Sequence, residues 1–240
     1  MAGKGERKNQ KSLSASKARS FNRKEHVWTT KSRPGPHTGK GSVPLVFVIK
    51  DMLGLATNRA EVKKLLCNKE IKVNGRVRTL PKFPVGVFDV IDIEKTKQRF
   101  RLVFDEKSRL TVREIKSAGK AFRISKIVRK AIKKGGEVQL TTDDGVNIIM
   151  KKTALTKGDS VKLEFPENKV VGEFAMKKGS SVFVVGGTHI GVLADIGEII
   201  QGDQKRDTLV RLEKGKESFL TPSKNIMVVD PKMEIFEKVK

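Results

Sequence analysis

Cysteine is nearly absent: Cys67 is the only one in 240 residues, so no disulfide can close within the chain, and a reducing compartment, the cytoplasm, fits. Histidine is almost as rare, and His26, His37 and His189 are widely scattered. No Cys-x-x-Cys or His-x-x-x-His spacing exists, so neither a zinc site nor any other metal is expected. A Gly-x-x-x-x-Gly-Lys-Ser/Thr phosphate loop and a Gly-x-Ser-x-Gly elbow are missing too. Asp143, Asp144 and Asp159 lie in glycine-containing turn patterns and read as turn residues, not as an acid–base pair. No catalysis, cofactor or small-molecule substrate is therefore expected. The longest apolar run falls far short of the roughly 18–20 residues that cross a bilayer. The N-terminus is polar and basic, unlike a signal peptide.

Positive charge is what the chain has in excess. Lys and Arg number 51 against 27 Asp and Glu, giving a formal net charge of +24 and an isoelectric point near 10.2. A surplus of one sign repels itself in a compact protein, so a polyanionic partner is expected, with nucleic acid the default. The length admits two or three small domains and not one large core.

Residues 1–42 carry eleven cations and only two acids, Glu6 and Glu25. Ser, Gly, Asn and Pro fill most of the rest, leaving little apolar burial to offset the roughly 1–2 kcal/mol per residue that ordering a backbone costs. A basic extended arm, mostly disordered when free, is the expectation. It reads either as a solubilising or localising tail or as an extension that orders against RNA phosphates. Phe21 and Trp28 favour the second reading, because a disordered tail has no core for aromatics. The candidate phosphate contacts are Arg7, Lys8, Lys11, Lys17, Arg19, Arg23, Lys24 and Arg33, and Trp28 can stack on an exposed base. Arg33-Pro34-Gly35-Pro36-His37 reads as an extended connector.

The stretch 43–94 organises the rest. Leu45, Ile49, Met52 and Leu53 stand at helical spacing, with Pro44 suited to the first turn and Gly54 to the residue past the last. Asn58 and Glu61 form a capping box for a second helix with Val62, Leu65 and Leu66 inward and Arg59 and Lys63 outward. Cys67, near its end, reads as a small core residue. Asn74-Gly75 is a strong hairpin signal, since a type I′ turn needs positive φ at both central residues. Eight cations lie between residues 59 and 82: Arg59, Lys63, Lys64, Lys69, Lys72, Arg76, Arg78 and Lys82, against Glu61 and Glu70. One face of that composition can follow a phosphate backbone, as shape-led recognition of folded RNA requires. Gly54-Leu55-Ala56, Asn58-Arg59 and Val73-Asn74-Gly75, in this order, resemble the small RNA-binding module called the S-four (S4) domain.

Beyond residue 94 the pattern turns to strands. Arg99–Phe104 and Arg109–Arg113 flank a hairpin turn, and 137–141, 146–150 and 160–165 continue the alternation, so 95–172 reads as a central β domain. In 121–134, Ile124, Ile127, Val128, Ala131 and Ile132 match a helical face, yet Phe122-Arg123-Ile124 alternates. Pattern alone leans to helix and the family resemblance leans to strand; strand is the reading taken. Residues 173–240 hold short, closely spaced strands, which points to a small SH3-like barrel. Lys178 to Leu193, with Gly187, His189 and Gly191 in its turn, resembles the KOW motif of ribosomal and transcription-elongation proteins. Glycine-rich turns also arise in ordinary barrels. Lys178 and His189 are the candidate RNA contacts there.

The order of arm (1–42), S-four module (43–94), central β domain (95–172) and KOW-bearing barrel (173–240) makes a mixed α+β, multidomain chain. Along nearly its whole length it resembles the S-four-e (S4e) family of small-subunit ribosomal proteins. That resemblance implies a non-catalytic constituent of the ribosome with small-subunit ribosomal RNA and neighbouring small-subunit proteins as partners. Two other classes stay open: a KOW-bearing transcription-elongation factor and an accessory protein of an RNA-modifying enzyme.

Overall fold

A computed structural model describes residues 9–105, 107–115, 121–151, 153–203, 206–215 and 217–230. Among these residues strands dominate and helices are few, and the chain divides into two compact units, Met1–Ser117 and Ala118–Lys240. None of the described helices is long and apolar enough to cross a membrane.

In the first unit, β1 (Gln10–Lys11) pairs with β2 (Trp28–Thr29), and β3 (Ser42–Pro44) leads into α1 (Leu45–Phe47). The helix continues as a wider π-helical turn, Val48–Met52, and ends at Gly54. Leu45 to Ile49 are all buried, so the helix is covered on more sides than a single stripe demands. Part of that cover comes from the arm: the Phe21 ring meets Phe47 edge-on at 5.7 Å. Next come α2 (Arg59–Cys67), β4 (Ile71–Val73), β5 (Arg76–Val77), β6 (Pro84–Gly86), β7 (Val90–Ile93), β8 (Gln98–Phe104) and β9 (Leu110–Glu114). β6 pairs with β3, and the others form an antiparallel sheet in the order β5-β4-β7-β8-β9. Asn74 and Gly75 have φ of 52° and 72°, the two positive values that the tight turn from β4 to β5 needs. Pairing of β7 with β8, from Val90 opposite Arg101 to Ile93 opposite Gln98, runs across residue 94. The change of composition at that point therefore marks a solvent-facing turn within one sheet.

The arm departs from expectation. Residues 9–42 pack on their own unit, held mainly by polar groups: Leu110 N–H donates to the Ala18 carbonyl at 2.9 Å, and Arg33 N–H to that of Lys82 at 2.9 Å. Ala15 and Ala18 are buried beside them. At the end of the arm His37 Nε2 lies 2.8 Å from a carboxylate oxygen of Asp89, which is fully buried. Asp89 also accepts from Gly86 N–H at 2.8 Å and from the Asn74 side-chain amide at 2.7 Å. A Cβ on Gly86 would fall 2.4 Å from the His37 ring, so only glycine lets the imidazole close on this carboxylate. Little apolar area was available to read from the sequence because carbonyls, amides and charged side chains make these contacts.

The second unit holds two five-stranded antiparallel sheets. β10 (Phe122–Ile132), β11 (Val138–Thr142), β12 (Asn147–Met150), β13 (Ser160–Glu164) and β14 (Lys169–Phe174) run in the order β12-β11-β10-β13-β14. β15 (Ser181–Val184), β16 (Leu193–Ile200), β17 (Leu209–Lys214), β18 (Glu217–Pro222) and β19 (Ile226–Val228) follow in the order β18-β17-β16-β15-β19. Ile127, Leu140, Val161 and Leu163 centre the first core, and Val182, Val184, Val210 and Leu212 the second. β10 is the segment with two possible readings, and it is a strand with a bulge between Ile127 and Arg129. Of the residues at helical spacing, Ile124 and Ile127 are buried while Val128 and Ile132 are exposed, so the apolar face in the sequence is not the buried face of the fold. The two sheets are tied by Val228 N–H donating to the Ser160 hydroxyl at 3.0 Å. Lys126 on β10 adds a second tie, its ammonium donating to the carbonyls of Ser223 at 2.5 Å and Ile226 at 2.9 Å. Burial pushes that ammonium down to about 8, with Asp143 opposing and Lys157 adding to the shift.

The turn acids have structural partners. Asp144 pairs with buried Arg123 and accepts from the Ser125 hydroxyl at 2.6 Å. Asp159 accepts from Thr156 N–H at 2.7 Å and Met176 N–H at 2.8 Å.

Candidate nucleic-acid interface

The interface is built outward from α2. Asn58 accepts Glu61 N–H at 3.0 Å, and the Glu61 carboxylate accepts Thr57 N–H at 2.8 Å, so the first turn is fixed at both ends. Those bonds from Thr57 hold the Glu61 carboxyl below the usual range. Val62 and Leu66 are buried, and the rotation they impose leaves Arg59, Lys63 and Lys64 exposed. Lys69, in the turn after α2, and Arg76, after the Asn74-Gly75 turn, are exposed as well. Cys67 is also exposed, correcting its expected core position: it lies one residue past Leu66, off the inward stripe.

Other candidates are less free. Lys72 is ion-paired with Glu94, which raises its pKa. The Arg78 guanidinium lies 4.4 Å over the Phe83 ring, and burial lowers its pKa with Arg76 adding to the effect. Lys82 is half-buried. In the arm, Lys11, Lys17, Lys24 and Arg33 are exposed, while Arg7 and Lys8 lie outside the described residues.

Arg19 is a correction. It is 3% exposed, and its guanidinium donates to the Thr30 carbonyl at 2.9 Å, the Ser32 hydroxyl at 3.1 Å and the Gln10 side chain at 3.2 Å. Burial, with Arg23 beside it, lowers its pKa to about 10. It holds the arm together and cannot reach a phosphate from this position. Arg23 is half-buried and does similar work, donating to the carbonyls of Ala15 at 2.7 Å and Ser16 at 3.0 Å.

Trp28 is 59% exposed at the mouth of a cavity of about 260 Å³ between the arm and the first helix. Phe21 and Phe47 line it with Trp28, Glu25 and Asp51 add carboxylates, and Arg59 stands at its edge. Burial raises the Asp51 carboxyl, Lys50 opposes the shift at 3.9 Å, and Glu25 adds to it. Phe47 and Asp51 escaped the sequence reading because the one passes for core and the other for solvated charge; only their position beside Phe21 and Trp28 marks them. In the second unit, Lys178 is exposed and the His189 ring stacks on Phe219 at 4.2 Å. Gly187 and Gly191 both have positive φ in the same loop.

A compact helix pair with a hairpin carries an outward surface rich in Arg and Lys near an exposed aromatic, the composition that suits a polyanionic partner such as RNA. Comparison with known proteins makes this specific. Residues 43–91 match the S4 domain and residues 96–170 match the ribosomal family S4e. The small ribosomal subunit protein eS4 of Methanosphaera stadtmanae is 39% identical over 229 residues, covering 95% of both chains. Its counterpart from Archaeoglobus fulgidus is 37% identical over 223 residues, 93% of each. The crystal structure of the 30S ribosomal protein S4e from Thermoplasma acidophilum superposes with a TM-score of 0.66 at 26% identity, covering 79% of this chain and 95% of that one. The chain belongs to the S4e family of ribosomal proteins.

Proposed function

We propose that this protein is a structural, non-catalytic constituent of the small ribosomal subunit. It acts in translation in the cytoplasm by holding small-subunit rRNA, beside neighbouring small-subunit proteins. The observation that carries this reading is end-to-end similarity to small-subunit relatives at 39% identity. The physical support is the exposed α2 face of Arg59, Lys63 and Lys64, extended by Lys69 and Arg76. Lys11, Lys17, Lys24 and Arg33 supply further cations from the arm, and Lys178 and His189 form a second contact through the KOW-like loop. The S4 module, central β domain and small barrel divide the work between them, with phosphate contacts fixing position and RNA shape giving selectivity.

Sedimentation tests the assignment: tagged protein expressed in cells is expected to travel with small subunits through a sucrose gradient at moderate salt. Absence from those fractions, with the protein intact at the top of the gradient, refutes it. The isolated chain is expected to bind a small-subunit rRNA fragment with steep salt dependence. Five or six phosphate contacts give a slope of log K against log salt of at least about −3.

A further inference from the structure

We propose that the cavity beside Trp28 takes one unstacked nucleobase of the bound RNA, and that the base is guanine. The inference rests on the rRNA-binding reading and adds a base-specific site to it. Trp28 is the starting observation: a large aromatic, 59% exposed, on a two-residue strand paired with Lys11. Aromatics exposed beside cations are the stacking platforms of single-stranded nucleic acid sites. At about 260 Å³ the cavity lies just below the roughly 300–1,000 Å³ of small-molecule sites, a scale suited to one ring system. Phe21 and Phe47, set edge to face at 5.7 Å, wall it on the helix side.

Its polar lining selects among bases. Glu25 and Asp51 bring two carboxylates to the cavity. Among the described residues, the His26 ring and the Lys50 ammonium stand 4.0 Å and 3.9 Å from them, beyond hydrogen-bond distance. A carboxylate only accepts hydrogen bonds, so it favours a base that presents adjacent donors. The Watson–Crick edge of guanine presents N1–H and N2–H₂ side by side and can satisfy one carboxylate through two bonds. Adenine and cytosine each offer a single amino group there, and uracil a single N–H flanked by carbonyls that a carboxylate repels. Arg59, exposed at the edge and the first residue of the basic face, is placed for the phosphate of the same nucleotide. The cavity and the cationic face are thus continuous.

The chain contains one tryptophan and no tyrosine, so its intrinsic emission on excitation at long wavelength reports Trp28 alone. Full-length protein is titrated with fluorescein-labelled uridine heptamers whose central residue is G, A, C or U. Anisotropy reads binding, and unlabelled heptamers of the same sequences read quenching. The G heptamer is expected to quench Trp28 and to bind roughly tenfold more tightly than the others. Asp51→Asn and, separately, the exposed Glu25→Gln test the carboxylates: at least one, with an unchanged circular dichroism spectrum, is expected to lose the G preference and keep the quenching. Equal affinity for all four heptamers overturns the guanine assignment, as does an undiminished preference in both variants. Binding of a small-subunit rRNA fragment with Trp28 emission unchanged overturns the base site and leaves the rRNA reading intact. Failure to bind that fragment at all overturns the rRNA reading itself.

Discussion

Lys126 gives the sharpest physical test of how the second unit is held together. Its ammonium is buried among the carbonyls of Ser223 and Ile226, with a pKa lowered from 10.5 to about 8. In the unfolded chain it returns to its ordinary value, so between pH 8 and 10.5 the unfolded state binds a proton that the folded state has released. Stability therefore rises with pH through that window, and the whole cost of burying the charge is felt below pH 8. Integrated from pH 7 to pH 10, the two values give a gain of about 2.5 kcal/mol. Lys126→Met keeps the length of the side chain and removes the titration. Urea unfolding of both proteins by circular dichroism at pH 7, 8, 9 and 10 isolates the term, since other lysines contribute equally to each. Wild type is expected to gain about 2.5 kcal/mol over the variant across that range. Parallel curves, or an NMR titration of the Lys126 side chain with a midpoint near 10.5, would refute the argument.

Four further outcomes are expected. Replacing Arg59 and Lys63 together by Glu weakens binding to a small-subunit rRNA fragment well over tenfold, by filter binding, and changes stability by no more than about 0.5 kcal/mol at each exposed site. Arg19→Ala strips the arm of a charged donor with three acceptors, destabilising the first unit by about 3 kcal/mol in urea and speeding tryptic cleavage at Lys17 and Lys24; unchanged cleavage rates refute its structural role. Asn58→Ala removes the cap of α2 at a cost of about 1 kcal/mol by thermal melting. Because the Glu61 carboxyl sits below its ordinary value, the contribution of its bonds is lost as pH falls through that lowered value, so Glu61→Gln destabilises at neutral pH and much less in acid.

Local chemistry was the most legible part of the sequence. Asn58 with Glu61 and Asn74-Gly75 each specify their geometry within four residues, and the structure contains both. Long-range choices were not legible in the same way. Lys17 and Arg19 are both cations two residues apart, yet one is exposed and the other is nearly sealed off, because the acceptors for Arg19 arrive from Thr30 and Ser32. His37 looked like part of a connector, and its partner Asp89 lies 52 residues on, in the turn between β6 and β7. β10 spaced its apolar residues like a helix, yet Val128 and Ile132 of that face are exposed, a choice set by its strand partners and not by the spacing. The basic face was readable as a total of charge, but which members are neutralised, such as Lys72 by Glu94, depends on sheet register.

The bond from Leu110 N–H to the Ala18 carbonyl sets a timetable for the newborn chain. The arm is synthesised before its donor: the Ala18 carbonyl waits for an N–H about ninety residues further on, and at roughly 5–20 residues per second that is a delay of about 5–20 s. During that interval residues 9–42 lack Lys82, Asp89 and Leu110, and their cations are open to any polyanion nearby. A protein made on ribosomes thus passes through a stage in which residues 9–42 are adhesive to RNA and the strands that restrain them have not yet arrived.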